Sequence, residues 1–196
     1  MKTIKKYKVM PNPNIRIKSL NATAVQEKEI EKIRQWRNDQ IVILRQKSLI
    51  SENQQIDYFK NTIWPQMDED YPNEILLSIF KNGIFVAYGG LVHISWEDKR
   101  AEVSFVADSE IVANQKIYIN LFTEYLSLIK YFAFSQLGLN RIFTETYDIR
   151  PNHIMTLENS GFMKEGIMKS HIIINGVRTN SLIHGILRED YSENKI

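Results

Sequence analysis

Four histidines, His93, His153, His171 and His184, and no cysteine bound the chemistry open to this chain of 196 residues. Without cysteine there is no disulfide, no thiolate ligand and no thiol nucleophile. No two histidines stand at a helical metal-ligand spacing, so no metal site is expected. Two carboxylates sit inside strand-like runs, Glu102 in AEVSFV and Glu145 in TETY. Residues alternate along a strand, so Glu102, Ser104 and Val106 share one face and Val103 and Phe105 the other. A carboxylate in such a place can take up a proton, or it can simply pair with Lys99 or Arg100. Glu145 is its rival, with Arg141 and Arg150 as structural partners. Tyr147 ends the same run and offers either an acidic hydroxyl or a packed ring. Arg37, with Arg45 and Lys47 just beyond it, can grip a phosphate or carboxylate with its planar fork, or the group can face water.

The rest of the composition is that of a globular protein. Hydrophobic residues make up 43% and charged residues 24%, enough for a sizeable core. Lys and Arg number 25 against 23 Asp and Glu, a net charge of +2 that argues against a nucleic-acid surface. Apolar runs such as Ile41-Val42-Ile43-Leu44 are too short to span a membrane. The basic start MKTIKKYKVMPNPN has no apolar stretch behind it, so it is not a signal peptide. A cytoplasmic protein is expected, built as one domain over residues 1–196 with its core at about 14–187.

The elements that must position these residues follow from periodicity. Asn14 to Leu20 alternates like a strand, and residues 25–38 read as a helix. Ser51 and Gln54 form a capping-box pattern that opens a second helix, which Pro65 ends. Strands at Glu74–Phe80 and Ile84–Ser95 flank Asn82-Gly83, a tight hairpin signal. A third runs from Arg100 to Ala107. A long helix spans about Ile117–Gln136, with Gly138 as its stop. Arg141–Tyr147 is the next strand and Asn152–Ser160 a short helix. Phe162–Ile174 and Val177–Leu187 close the chain as a hairpin around Asn175-Gly176. The fold class is therefore α+β (mixed α/β), with about seven twisted, mostly antiparallel strands and helices on both faces. The strands at Val103 and Phe143 should lie parallel through a right-handed crossover.

This order resembles the GNAT N-acetyltransferase fold, and local motifs support the likeness. YFAFSQLGLNRI (Tyr131–Ile142) is similar to the end of the central helix in the branch that acetylates ribosomal-protein N-termini. LENSGFMKEG (Leu157–Gly166) resembles the family's closing motif. Trp36-Arg37-Asn38 resembles the W-R-N of that branch and of amino-sugar acetyltransferases. Within the family, WRNDQIVILRQ (Trp36–Gln46), YGGLVHISW (Tyr88–Trp96) and the stretch from His171 to Arg188 are most similar to acetyltransferases of surface-polysaccharide biosynthesis.

The resemblance implies acetyl-CoA as cosubstrate and a primary amine as acceptor, in the finer reading a nucleotide-linked amino sugar. The alternatives are a protein N-terminal acetyltransferase and a non-catalytic binding protein of the same fold. Glu102 is then the expected base, Tyr147 the acid, and His153 a donor to the acyl carbonyl or a proton carrier. Ser104, Phe105 and Val106 supply the main chain that meets the thioester. Arg150 and Asn152 start the last helix, beside the cofactor. Trp36, Arg37, Asn38, His93, Trp96 and Glu145 are the expected acceptor contacts.

Two departures from the family pattern stand out. The usual glycine-rich pyrophosphate loop falls at Val112–Asn120, where there is no glycine. Asn114 and Asn120 tolerate the left-handed region better than most residues, and Lys116 could supply charge, so an atypical loop can still cradle the pyrophosphate. The family's helix tyrosine is replaced by Leu157, and its usual asparagine by Arg150. Ile172-Ile173-Ile174 fits either a homodimer contact or an internal core strand.

Overall fold

A computed structural model describes residues 5–192. Its eight strands form a single sheet in the order β1-β2-β3-β4-β5-β6-β8-β7. They are β1 (Asn14–Ile17), β2 (Leu20–Ala24), β3 (Ile75–Lys81), β4 (Ile84–Ser95), β5 (Arg100–Ala107), β6 (Arg141–Tyr147), β7 (Met163–Ile174) and β8 (Val177–Leu187). Every neighbouring pair is antiparallel except β5 and β6. The helices are α1 (Ile30–Asp39), α2 (Glu52–Tyr58, continued to Gln66), α3 (Ser109–Ala113), α4 (Gln115–Lys130, continued to Gln136) and α5 (Pro151–Asn159).

Both faces of the middle of the sheet are covered, whereas the edge strand β7 has no buried residue. Phe105 of β5 packs on Phe122 and Tyr125 of α4, with ring centroids 4.9 and 4.5 Å away. Tyr88 of β4 turns the other way, toward Phe59 at the end of α2. Alternate strand residues thus feed two cores, and the sheet is apolar on both sides.

Three elements differ from the periodicity reading. The expected first strand is a hairpin, because the chain reverses at Lys18, whose φ is +51°. The added strand β2 buries Leu20, Ala22 and Ala24; alanines carry little hydrophobic signal. Pro65 does not end its helix. The helix widens into a π turn at Phe59–Ile63 and runs on through Trp64–Gln66, since the wider turn makes room for the ring. The Ile172–Ile174 run is not an internal strand: β7 lies at the sheet edge and Ile173 is 63% exposed.

The capping box forms as the spacing predicts. The Gln54 amide donates to Ser51 Oγ at 3.3 Å and the Ser51 amide to Gln54 Oε1 at 2.9 Å. Among the described residues no helix is long and apolar enough to cross a membrane.

Candidate functional site

β5 and β6 run parallel for only three pairs, ending at Glu102↔Phe143. Beyond that point the strands part, and a cavity of about 470 Å³ opens in the wedge. Main-chain groups of β5 past Glu102 lose their β6 partners there. A sheet edge left open inside a protein presents N–H donors to a ligand. Ser104, Phe105 and Val106 all line this opening. The Ser104 carbonyl is taken by the Tyr125 hydroxyl at 2.6 Å.

The face toward α1 and α2 carries the ionisable groups. Glu102 is only 4% exposed, yet it meets neither Lys99 nor Arg100. Its Oε1 accepts from Arg45, and its Oε2 lies 2.8 Å from His93 Nδ1. Regular alternation would turn His93 away from Glu102, since Val92 is the residue paired with it. A β-bulge follows Val92, with His93 at a φ of +50°. Such a bulge re-aims a side chain, and the left-handed backbone stores strain in a non-glycine residue. Glu145 points to the same side, and here too the expected partners are absent. Arg45 Nη1 lies 3.3 Å from its Oε2 and His171 Nε2 3.7 Å from its Oε1. Glu145 Oε1 is buried without a hydrogen bond. One arginine from the segment after α1 therefore braces both carboxylates, so Arg45 does not form part of a free basic wall.

Tyr147 lines the cavity at the end of β6. Burial, then the nearby Glu145 charge, pushes its hydroxyl above the ordinary tyrosine value. It is therefore protonated at neutral pH and can donate a proton to an adjoining anion.

The opposite wall is built by α4 and α5. His153 is buried there and stacks on Phe122, with ring centroids 4.1 Å apart. Arg150 donates to the Tyr118 hydroxyl at 2.7 Å, and that hydroxyl lies 2.7 Å from His153 Nδ1. The simplest assignment has Tyr118 donating to Nδ1, which leaves the hydrogen on Nε2. Burial first, then the charges of Arg150 and His184, hold His153 well below the ordinary imidazole value. A neutral imidazole in this setting is a poor proton carrier and a fair hydrogen-bond donor. Tyr118 was not legible as a site residue; in the sequence it is one more aromatic on the buried helix face.

Other expected residues fall elsewhere. Trp36 is buried against Phe85, 4.7 Å between centroids, and does not line the cleft. Asn38 ties down a loop: its Nδ2 donates to the Ile50 carbonyl at 2.9 Å and its Oδ1 accepts from the Ile50 amide at 2.8 Å. Trp96 donates to the Pro72 carbonyl at 2.9 Å, away from the cavity lining. Arg37 does line it.

The segment expected as a glycine-free loop is mostly helical, and neither asparagine has positive φ. Asn114 has φ −107° and caps α4, its Oδ1 accepting from the Ile117 amide at 3.2 Å. Asn120 lies within α4. A side-chain cap satisfies the helix start without positive φ, so no glycine is required. Gln115 and Lys116 are the first two residues of α4, where a helix leaves its amides without intrahelical acceptors. Unpaired amides at the start of a long helix, beside Lys116, suit an anion such as a pyrophosphate. Thr146 lines the wedge with its Oγ1 buried and unpartnered. These features fit an acyl-CoA. Arg150 lines the cavity with its Nη2 given to the Tyr118 hydroxyl, and the Asn152 main-chain carbonyl accepts from Thr156 Oγ1 at 2.6 Å.

A family model described as an acetyltransferase (GNAT) domain matches residues 23–183. The chain belongs to the GNAT acetyltransferase family. It is an N-acetyltransferase. Solved structures share the fold at low identity. A spermidine N-acetyltransferase from Vibrio cholerae, in complex with CoA and spermine, is 17% identical with a TM-score of 0.75, covering 88% of this chain and 98% of that one. A chimera of the Vibrio cholerae enzyme with hSSAT is 18% identical with a TM-score of 0.74, over 89% of this chain and 98% of that one. A probable acetyltransferase is 16% identical with a TM-score of 0.66, over 91% and 98%. No curated protein sequence matches. Among the described residues of the acetyltransferase there is no cluster of three metal-ligating side chains.

Proposed function

We propose that this acetyltransferase moves the acetyl group of acetyl-CoA to a primary amine of a small molecule, with His93 and Glu102 together removing the amine proton. The observation that carries the reading is the strained bulge that holds His93 Nδ1 2.8 Å from the buried Glu102 carboxylate, at the point where β5 and β6 separate. Acetyl-CoA supplies the thioester that the amine attacks. Glu102 fixes the imidazole so that its other nitrogen faces the cleft, as a carboxylate orients a catalytic histidine. The His93 side chain is 64% exposed, so the proton it takes passes on to water. Open main-chain N–H groups of β5 near Phe105 and Val106 stabilise the oxyanion. Tyr147 gives its proton to the leaving thiolate.

The acceptor binds on the face of Glu102 and Glu145. The orphaned Glu145 Oε1 suits a hydroxyl or ammonium donor. An amino sugar offers both groups, in keeping with the family likeness of the W-R-N segment, and it is the finer reading. A polyamine is the second. Three carboxylates, Glu74, Glu102 and Glu145, line the cavity, and the neighbours in the fold are spermidine N-acetyltransferases by name. The test is a thiol-release assay with purified protein, acetyl-CoA and panels of amino sugars, polyamines and peptides. Acetylation of a small amine that falls in His93→Gln supports the proposal. CoA release that is indifferent to every small amine refutes it.

A further inference from the structure

A second cavity, of about 380 Å³, adjoins the first, and the two share Arg37, Tyr58 and Tyr88. Their charged linings differ: the first mixes acids and bases, with Arg37, Arg45 and Arg150 among them. Glu74, Glu102 and Glu145 line the first, whereas the second has no carboxylate on its wall and has Arg37 and Lys47. Its remaining surface is largely apolar, with Leu49, Ile50 and Phe59. Among the described residues Arg37 has one hydrogen bond, from Nε to Gln46 Oε1 at 3.3 Å, and no ion pair. Its terminal nitrogens are thus uncommitted, and a guanidinium presents its donors as a fork matched to an oxyanion. Glu74, the nearest acid of the first cavity to Tyr58, is already accepting from the Tyr58 hydroxyl at 3.0 Å. The outer wall is preformed. Asn38 holds Ile50 through both main-chain groups and takes Gln46 Nε2 at 2.9 Å. Gln46 in turn aligns Arg37.

Resting on the acetyltransferase reading, we infer that the acceptor is a bipolar molecule, its amine at the Glu102 end and an oxyanion group, carboxylate or phosphate, held by Arg37 in the second cavity. Lys47 adds charge at the same mouth. The aromatic and aliphatic walls take the spacer between the two ends. A molecule with ammonium groups at both ends would meet Arg37 and Lys47 with like charge, which discriminates against it.

The test pairs acceptors that differ in one group: glucosamine against its phosphate ester, and an aminoalkyl carboxylate against the diamine of the same length. Kinetics and calorimetric binding are measured for each. The anion-bearing member of at least one pair is expected to show a kcat/KM at least about tenfold higher, expressed in KM and weakened by salt. Which pair responds tells phosphate from carboxylate. Arg37→Gln should abolish the preference and Arg37→Lys restore part of it. Equal use of both members, preference for the diamine, or a preference that survives Arg37→Gln overturns the inference. Binding is read without turnover, so the two readings fail separately. Arg37-dependent binding without acetyl transfer would uphold the cavity and sink the reaction. Transfer with no oxyanion preference would do the reverse.

Discussion

The Arg150–Tyr118–His153 chain makes a quantitative claim about acid stability. Folded His153 is held well below its ordinary value by burial, and it accepts a hydrogen bond at Nδ1 that protonation would remove. The unfolded chain titrates near 6.5 and so binds a proton that the folded chain refuses. This group's contribution is therefore complete above about pH 6.5 and is lost as pH falls toward the folded value. The slope is at most about 1.4 kcal/mol per pH unit, so between about pH 7.5 and pH 5 His153 accounts for about 2 kcal/mol of lost stability. For a domain of this size that is roughly 4–8 °C in Tm. The comparison is with His153→Gln, whose side-chain carbonyl can still accept from Tyr118. Titrating groups remote from residue 153 act on both proteins and cancel in the difference. Urea unfolding at the two pH values should show the wild type losing about 2 kcal/mol more than the variant. Parallel losses, within about 0.5 kcal/mol, would refute both the neutral assignment and the direction of the hydrogen bond.

Further predictions follow from single contacts. His93→Gln and Glu102→Gln should each lower kcat/KM by about 10²–10⁴-fold, with the double variant little worse than the single ones, since the pair acts as a unit; additive losses would separate them. Tyr147→Phe should reduce kcat by about tenfold or more while acetyl-CoA binding, read by calorimetry, is unchanged. Asn114→Ala should cost about 1 kcal/mol of stability through the lost helix cap and leave cofactor binding, read by calorimetry, within about twofold, because its Oδ1 is already taken by the Ile117 amide. Gly90→Ala should destabilise by about 2–4 kcal/mol in a thermal melt, since an added Cβ would lie 2.0 Å from the Ile75 carbonyl at a φ of +150°.

Most of the architecture was legible because it is local. Asn82-Gly83 and Asn175-Gly176 named their hairpins, Ser51 and Gln54 their cap, and the period of α4 its buried face. Each signal needs only neighbours in the chain. Even the strand–helix–strand crossover that makes β5 and β6 parallel follows from order alone. The errors come where side chains carry no periodic signal or where a cap does what glycine usually does. Ala22 and Ala24 concealed a strand, and Asn114 starts a helix without a left-handed loop.

The site depended on distance in sequence. Glu102, Glu145, Tyr147 and His153 were visible as residue types, but their electrostatics were not. Arg45 reaches Glu102 across 57 residues. His93 meets Glu102 only because a bulge breaks the alternation that sequence reasoning assumes. Tyr118 joins Arg150 to His153 from another helix altogether. The elements, their order and the family of chemistry are set within short stretches of chain, because propensity, period and motif are local. The tertiary structure alone decided which charges are neutralised, which imidazole stays uncharged and which guanidinium is left free. Burial and pairing belong to the packed molecule, and no stretch of chain holds both partners.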